Sequence, residues 1–156
     1  MPVVSVSIAE EEVQGIGAQN IAGQLTAWNY YETLDNPVNK AFVKAFKDKY
    51  GQNRVTSDPM EAAYVSVYLW KNTVEKGKSF DVKAIQDNCA GVTFDAPPEG
   101  LVTIDGENHH ITKTARIGEI HPDGLIYTIW ESPPGPITPP DPYLKSYPPW
   151  AKGLSG

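Results

Sequence analysis

The spacing of apolar positions changes character twice along the chain. The opening MPVVSVS is apolar and β-branched without alternation, which predicts a strand over 3–7 covered on both faces, as in a parallel sheet. Ser7 and Glu10 then have the S-x-x-E spacing of a capping box, and Glu11 and Glu12 add negative charge to the first turn of a short helix. Gly15-Ile16-Gly17 ends it. GQLTAWNYY, residues 23–31, reads as a second strand running into an aromatic segment.

From residue 36 the period becomes helical. Asn36 is an N-cap with Pro37 in the first helical position, and Val38, Phe42, Phe46 and Tyr50 recur every four residues on one face until Gly51. Asp58, Pro59 and Glu61 repeat the start signal for a helix to about residue 76. Its apolar residues (Tyr64, Val65, Val67, Tyr68, Leu69, Trp70 and Val74) reach most of the way round, which predicts deep packing. Residues 81–90 form a third amphipathic pattern with Val82, Ile85 and Cys89 inward. After residue 92 the period returns to that of strands in LVTID, TARIGEI and LIYTIW, with Pro122-Asp123-Gly124 as the turn between the last two. The sum is β-α-β-α-α-α followed by strands: an α/β chain with a hairpin-rich end.

Composition narrows the partners. The 156 residues suit about one domain, and 40% hydrophobic with 21% charged residues describes a globular chain. A net charge of −6 argues against nucleic acid or anionic lipid, both of which call for a basic patch. No apolar run approaches a membrane span, and no basic start with an apolar core marks a leader. A lone Cys89 allows no internal disulfide. Most of the 14 prolines crowd into residues 133–156, so this tail is expected to be extended rather than part of a core.

Candidate chemistry is sparse. All three histidines, His109, His110 and His121, lie within DGENHHITKTARIGEIHPDG among several carboxylates. Adjacent histidines on a strand point to opposite faces, and His121 falls at a hairpin tip, so no metal site is expected. Gly77-Lys78-Ser79 imitates the end of a phosphate loop but has Asn72 where the motif needs glycine. Gly15-Ile16-Gly17 lacks the third glycine of a dinucleotide fingerprint, with Asn20 in its place. Cys89 lies on an apolar helix face with no base nearby in sequence, a packing position. What remains are polar and aromatic groups at element ends. Ser7 and Glu10 stand where a strand passes into a helix, Trp28, Tyr30 and Tyr31 follow the second strand, and Glu61 and Tyr64 lie in the first turns of the third helix. Open α/β sheets bind ligands at such ends. Capping gives Ser7, Glu10 and Glu61 an alternative purpose, and packing does the same for the aromatics. The residues point to binding rather than catalysis and call for no cofactor.

The blocks PVVSVSIAEEEVQGIG, AWNYYETLDNPVNKAF, RVTSDPMEAAYVSVYLWK, TFDAPPEGLVTIDGENHH and RIGEIHPDG…PPDPY resemble, in this order, the C-terminal part of urea ABC transporter substrate-binding proteins. The cytoplasmic short-chain amide sensors are similar through the same blocks. Both have the type I periplasmic-binding-protein fold, near the branched-chain amino-acid receptors. Ala96-Pro97-Pro98-Glu99-Gly100 and Pro139-Pro140-Asp141 are each one proline longer than the resembling spacings. The resemblance implies a partial fold of Rossmann-like lobes: 1–27 in the second lobe, 28–35 a hinge crossover, 36–115 the C-terminal part of the first lobe, 116–132 the return crossover strands and 133–156 the tail. It implies a periplasmic parent protein, an ABC permease as partner, and sheet edges and apolar helix faces left uncovered in this chain, which is therefore expected to associate, aggregate or be marginally stable alone. The amide sensor is the alternative function, and a small hydrolase using the histidines a third.

Urea is planar and neutral, with four N–H donors and one carbonyl acceptor. In the resembling site Glu10 or Glu61 is expected to accept from its NH2 groups, Ser7 to do either, and Tyr30 to donate to the carbonyl, with Trp28, Tyr31 and Tyr64 completing the set.

Overall fold

The computed structural model describes residues 3–133; the expectation for the proline-rich tail falls outside them. Four strands form the main sheet in the order β1 (Val4–Ser5), β2 (Leu25–Trp28), β5 (Arg116–Ile120) and β6 (Ile126–Glu131). β1 runs parallel to β2, joined through the short helix α1 (Glu10–Ile16). β5 is antiparallel to β2, with Leu25 opposite Glu119 and Trp28 opposite Arg116. β5 and β6 form a hairpin whose tip is the expected Pro-Asp-Gly turn. Gly124 takes φ 86°, and His121 N–H donates to Leu125 O at 2.9 Å. Between β2 and β5 the chain inserts three helices, α2 (Pro37–Tyr50), α3 (Asp58–Gly77) and α4 (Val82–Asn88), and a two-strand ladder of β3 (Thr103–Ile104) with β4 (Ile111–Thr112).

Each part has its own core. Val13, Tyr31, Ile120 and Ile126 pack under the sheet with Ile8, Ala18, Ile21 and Trp28 around them. Val65, Leu69, Val92 and Val102 form the core of the helical part, flanked by Tyr64, Phe94, Ile104 and Ile111. At the sheet core Gly118 sits beside a bulge in the β5–β6 ladder. A Cβ there would lie 2.5 Å from Ile126 Cγ2 and 2.8 Å from Tyr31 Cζ, so Gly118→Ala overpacks two buried side chains. It is expected to cost about 1–3 kcal/mol in a urea melt.

Several expectations need correction. α1 begins at Glu10 with Ala9 as N-cap, not with Ser7; Glu12 rather than Glu10 reaches back, accepting from Ala9 N–H at 2.9 Å. Ser7 lies in a bend before the helix, and its own N–H donates to Ser5 Oγ. β1 is two residues long and an edge strand, with Val3, Val4 and Val6 exposed, because β2 is its one strand partner among the described residues. α3 is not packed all round: Val67 and Trp70 face outward while Val65, Leu69 and Thr73 are buried. Val82 at the start of α4 is exposed, although Cys89 just beyond its end is buried as expected.

The largest difference concerns α2. Its ends are as read, with Asn36 Oδ1 accepting from Asn39 N–H and Pro37 in the first turn. Its apolar stripe, however, is not turned inward. Val38, Phe42 and Phe46 are half-buried and Tyr50 exposed, and they line an open groove of about 680 Å3 with Ala41, Ala45 and Tyr64. The buried residue of α2 is the polar Asn39.

Candidate functional site

The carboxyl ends of the parallel strands β1 and β2 lie side by side, and the loop 6–9 rises from the first of them. Thr26 Oγ1 and Trp28 Nε1 both donate to Ile8 O at 2.8 Å, fixing this loop to the end of β2. Ser7 is exposed on the loop and Trp28 half-buried beneath it. Beyond Trp28 the chain leaves the sheet through residues 29–35. The second connection, residues 113–115, returns beside it: Asn29 Nδ2 donates to Thr114 O at 2.9 Å.

The outgoing segment is held by side chains. Asn29 and Tyr30 donate their backbone N–H groups to Asp58 Oδ2, at 2.9 and 2.8 Å, from the first residue of α3. Glu32 N–H donates to Glu10 Oε1 at 2.8 Å, on α1. Asn39 Nδ2 donates to Glu32 O and Leu34 O. The Tyr30 hydroxyl is fully buried, donating to Asn39 Oδ1 at 2.8 Å and sharing a hydrogen bond with Thr56 Oγ1. Tyr31 is equally buried and donates to Thr26 O at 2.7 Å. Four of the seven candidates, Glu10, Tyr30, Tyr31 and Glu61, are thus sealed inside, while Ser7 is exposed and Trp28 and Tyr64 are half-buried. Tyr64 belongs to an aromatic run: its ring lies 4.8 Å from Phe42 and 4.9 Å from Tyr68, and Phe42 in turn meets Tyr30 at 6.2 Å.

Buried carboxyls gather around these two connections. Glu10 Oε2 has no hydrogen-bond partner, and burial pushes its pKa up to about 8, with Glu32 and Asp58 adding repulsion. Glu61 accepts from Glu99 N–H at 3.3 Å. The Glu61 and Glu99 carboxyls are both raised, first by burial, and for Glu61 next by the Glu99 charge. Lys113 Nζ sits 2.7 Å from Glu99 Oε1 and 4.0 Å from Glu61 Oε2. Burial works against the Lys113 charge, but the two carboxylates outweigh it and its pKa is raised. Arg116 is nearly buried, donating to Asn29 O and Glu99 O (the latter at 3.1 Å) and pairing with Glu131 at 2.9 Å.

Glu32, Glu99, Lys113 and Arg116 carry no local motif, and Asp58 reads in the sequence only as a helix start. The one trace in the sequence is a charge inside an apolar strand, Arg116 in TARIGEI. The histidines do not converge: His109 is exposed just after the turn 106–108 with φ 61°, and the His121 ring packs 4.4 Å from Tyr127. Among the described residues no three His, Cys, Asp or Glu side chains are placed to hold a metal ion. No helix there is long and apolar enough to cross a membrane.

This arrangement has relatives. Residues 1–149 match the periplasmic binding protein domain family, and the chain belongs to it. The fold is a partial type I periplasmic-binding-protein fold, superposing on the amino acid ABC transporter substrate-binding protein from Pseudomonas fluorescens Pf-5 with a TM-score of 0.70 at 22% identity. That match covers 89% of this chain and 38% of the other. A Leu/Ile/Val-binding protein homolog 6 from Brucella abortus is 30% identical over 76% of this chain and 30% of its own length. A Geobacillus stearothermophilus protein named limonene hydroxylase is 33% identical over 75% of this chain but only 21% of its own. The chain therefore spans less than two-fifths of the length of these relatives.

Proposed function

We propose that the chain is the C-terminal portion of the substrate-binding component of an ABC importer, located in the periplasm and read by the importer's permease, with urea or a short-chain amide as solute. The observation that carries this is the juxtaposition of the carboxyl ends of β1 and β2 with the loop 6–9. The loop 6–9 is pinned there through Ile8 O while Ser7 stays open, at the position where α/β sheets receive ligands. Membership of the periplasmic binding protein domain family supports the same reading. On it, 1–27 belongs to the second lobe, 28–35 is the hinge crossover, 36–115 contributes the C-terminal part of the first lobe and 116–132 holds the return crossover strands. The groove along α2 and the outer edge of β1 then face the remainder of the receptor fold. Ser7 and Trp28 contact the solute, Tyr64 lies on the α2 groove, and Glu10, Tyr30, Tyr31 and Glu61 support the site from the interior.

A four-heavy-atom ligand reaches at most roughly −6 kcal/mol, a Kd no tighter than about 40 μM, when a complete site closes around it. A chain holding part of the site binds more weakly than that. Titration of urea, acetamide and L-leucine followed by NMR is expected to shift the Ser7 amide and the Trp28 indole N–H with urea and acetamide. Saturation by leucine with silence toward both amides would overturn the solute assignment.

A further inference from the structure

The segment 29–32 does not leave the sheet along a strand ladder. Its N–H groups are held by carboxylates from the two structural parts: Asp58 of α3 takes Asn29 and Tyr30, and Glu10 of α1 takes Glu32. We propose that this segment is a strap clasped between the sheet part and the helical part by Glu10 and Asp58, and that loss of the Glu10 proton opens the Glu10 side of the clasp. The proposal rests on the reading of 28–35 as the passage between lobes only for its consequence, the freedom of one lobe to swing on the other.

The geometry gives the mechanism. Glu10 is fully buried, with Oε1 used by Glu32 N–H and Oε2 without a partner. A carboxyl in that position is stable while neutral; a charge there is cut off from bulk solvent, and its backbone hydrogen bonds, Glu32 N–H first, compensate only in part. The charged groups facing it add to the penalty. Asp58 lies on α3, and Glu32 on the strap itself, although Lys47 of α2 neutralises Glu32 in part. On α1, Glu11 is turned toward Ser57 Oγ and Arg54, and Glu12 toward Ala9 N–H. No cation among the described residues lies within ion-pair distance of Glu10. Ionisation therefore drives the Glu10 side chain toward solvent and frees the Glu32 amide. The Asp58 side of the strap remains, because its carboxylate accepts two N–H groups at once. The strap then pivots about Tyr30, whose hydroxyl is anchored to Asn39 and Thr56.

The test is amide exchange of the 156-residue chain by NMR, with rates corrected for intrinsic exchange, between about pH 6.5 and 9, a range that brackets the carboxyl's raised pKa of about 8. The Glu32 amide is expected to lose at least about tenfold in protection across this range, while the Tyr30 amide and core amides such as Val13 and Ile120 keep theirs. Glu10→Gln, which keeps an acceptor for Glu32 N–H and cannot ionise, should abolish the dependence. Constant Glu32 protection in the wild-type chain overturns the proposal, as does an unchanged dependence in Glu10→Gln. Should that variant fail to fold, the wild-type series decides: selective loss at Glu32 supports the clasp, and loss shared with Val13 and Ile120 overturns it. The readout is local and ligand-free, so it can fail while the urea titration succeeds, and the reverse.

Discussion

The chain is expected to be more stable at about pH 5 than at about pH 8.5, the reverse of a protein held together by salt-bridged carboxylates. Glu10 has its pKa raised to about 8 by burial, and Glu61 and Glu99 are raised for the same reason. Between the ordinary carboxyl value of 4.5 and about 8, the unfolded chain has released the Glu10 proton and the folded chain has kept it. The folded state then binds more protons, so stability falls as pH rises through that window and the loss is complete above about 8. Each tenfold tightening of proton binding in the folded state is worth about 1.4 kcal/mol, so Glu10 alone accounts for roughly 3–4 kcal/mol between about pH 5 and 8.5. For a domain of this size that is a fall in Tm of roughly 10 °C. The lowered groups Asp35, Asp48 and Asp123 are exposed and act around and below the ordinary aspartate value of 3.8, outside the window. Lys113 is raised above 10.5 and acts above it. Glu10→Gln should remove Glu10's share of the slope, keep the part due to Glu61 and Glu99, and leave the chain more stable than wild type at the alkaline end. A Tm from calorimetry that climbs between about pH 5 and 8 would refute the burial argument.

Removing the Arg116 guanidinium has an effect of similar size and a different origin. Arg116 is 7% exposed and satisfies the carbonyls of Asn29 and Glu99 together with the Glu131 carboxylate, tying the outgoing connection, the loop before β3 and the last strand at one point. Glu131 is half exposed, so water takes over that partner and the pair itself contributes little. The two carbonyls are the costly part, because a buried acceptor that loses a charged donor suffers its full desolvation penalty. Arg116→Met, which keeps the aliphatic length, is expected to lose about 3 kcal/mol in urea denaturation. Arg116→Lys should recover part of that by serving one carbonyl and not both, since an ammonium lacks the planar fork. A loss below about 1 kcal/mol for Arg116→Met would show that water replaces the guanidinium at both carbonyls.

These two sites also mark how far the sequence could be read. Glu10 drew attention as a capping residue, from a spacing that the structure assigns to Ala9 and Glu12 instead. Its separation from Glu32, 22 residues on, hides the contact that matters. Arg116 meets Asn29 across 87 positions, and Lys113 meets Glu61 and Glu99 from a different element. A pattern confined to neighbouring residues has no access to such pairs.

Residue identity was enough for what is local: the Asn36–Pro37 start of α2, the start of α3 at Asp58, the Pro-Asp-Gly hairpin turn, and the α/β order of elements. Each depends on hydrogen bonds and steric limits within about four residues along the chain. Periodicity also told which residues of α2 share a face. The direction in which that face turns came from the three-dimensional packing, which buried Asn39 against Tyr30, Glu32 and Leu34 and left the apolar stripe along a groove. The same holds for β1, apolar on both sides yet placed at an edge, and for the carboxyls of residues 10, 32, 58, 61 and 99, collected from separate stretches of chain. Amphipathic spacing fixes a direction within one element. The partner of that direction is set by the path of the whole chain, and the energy of burying a charge depends on that partner.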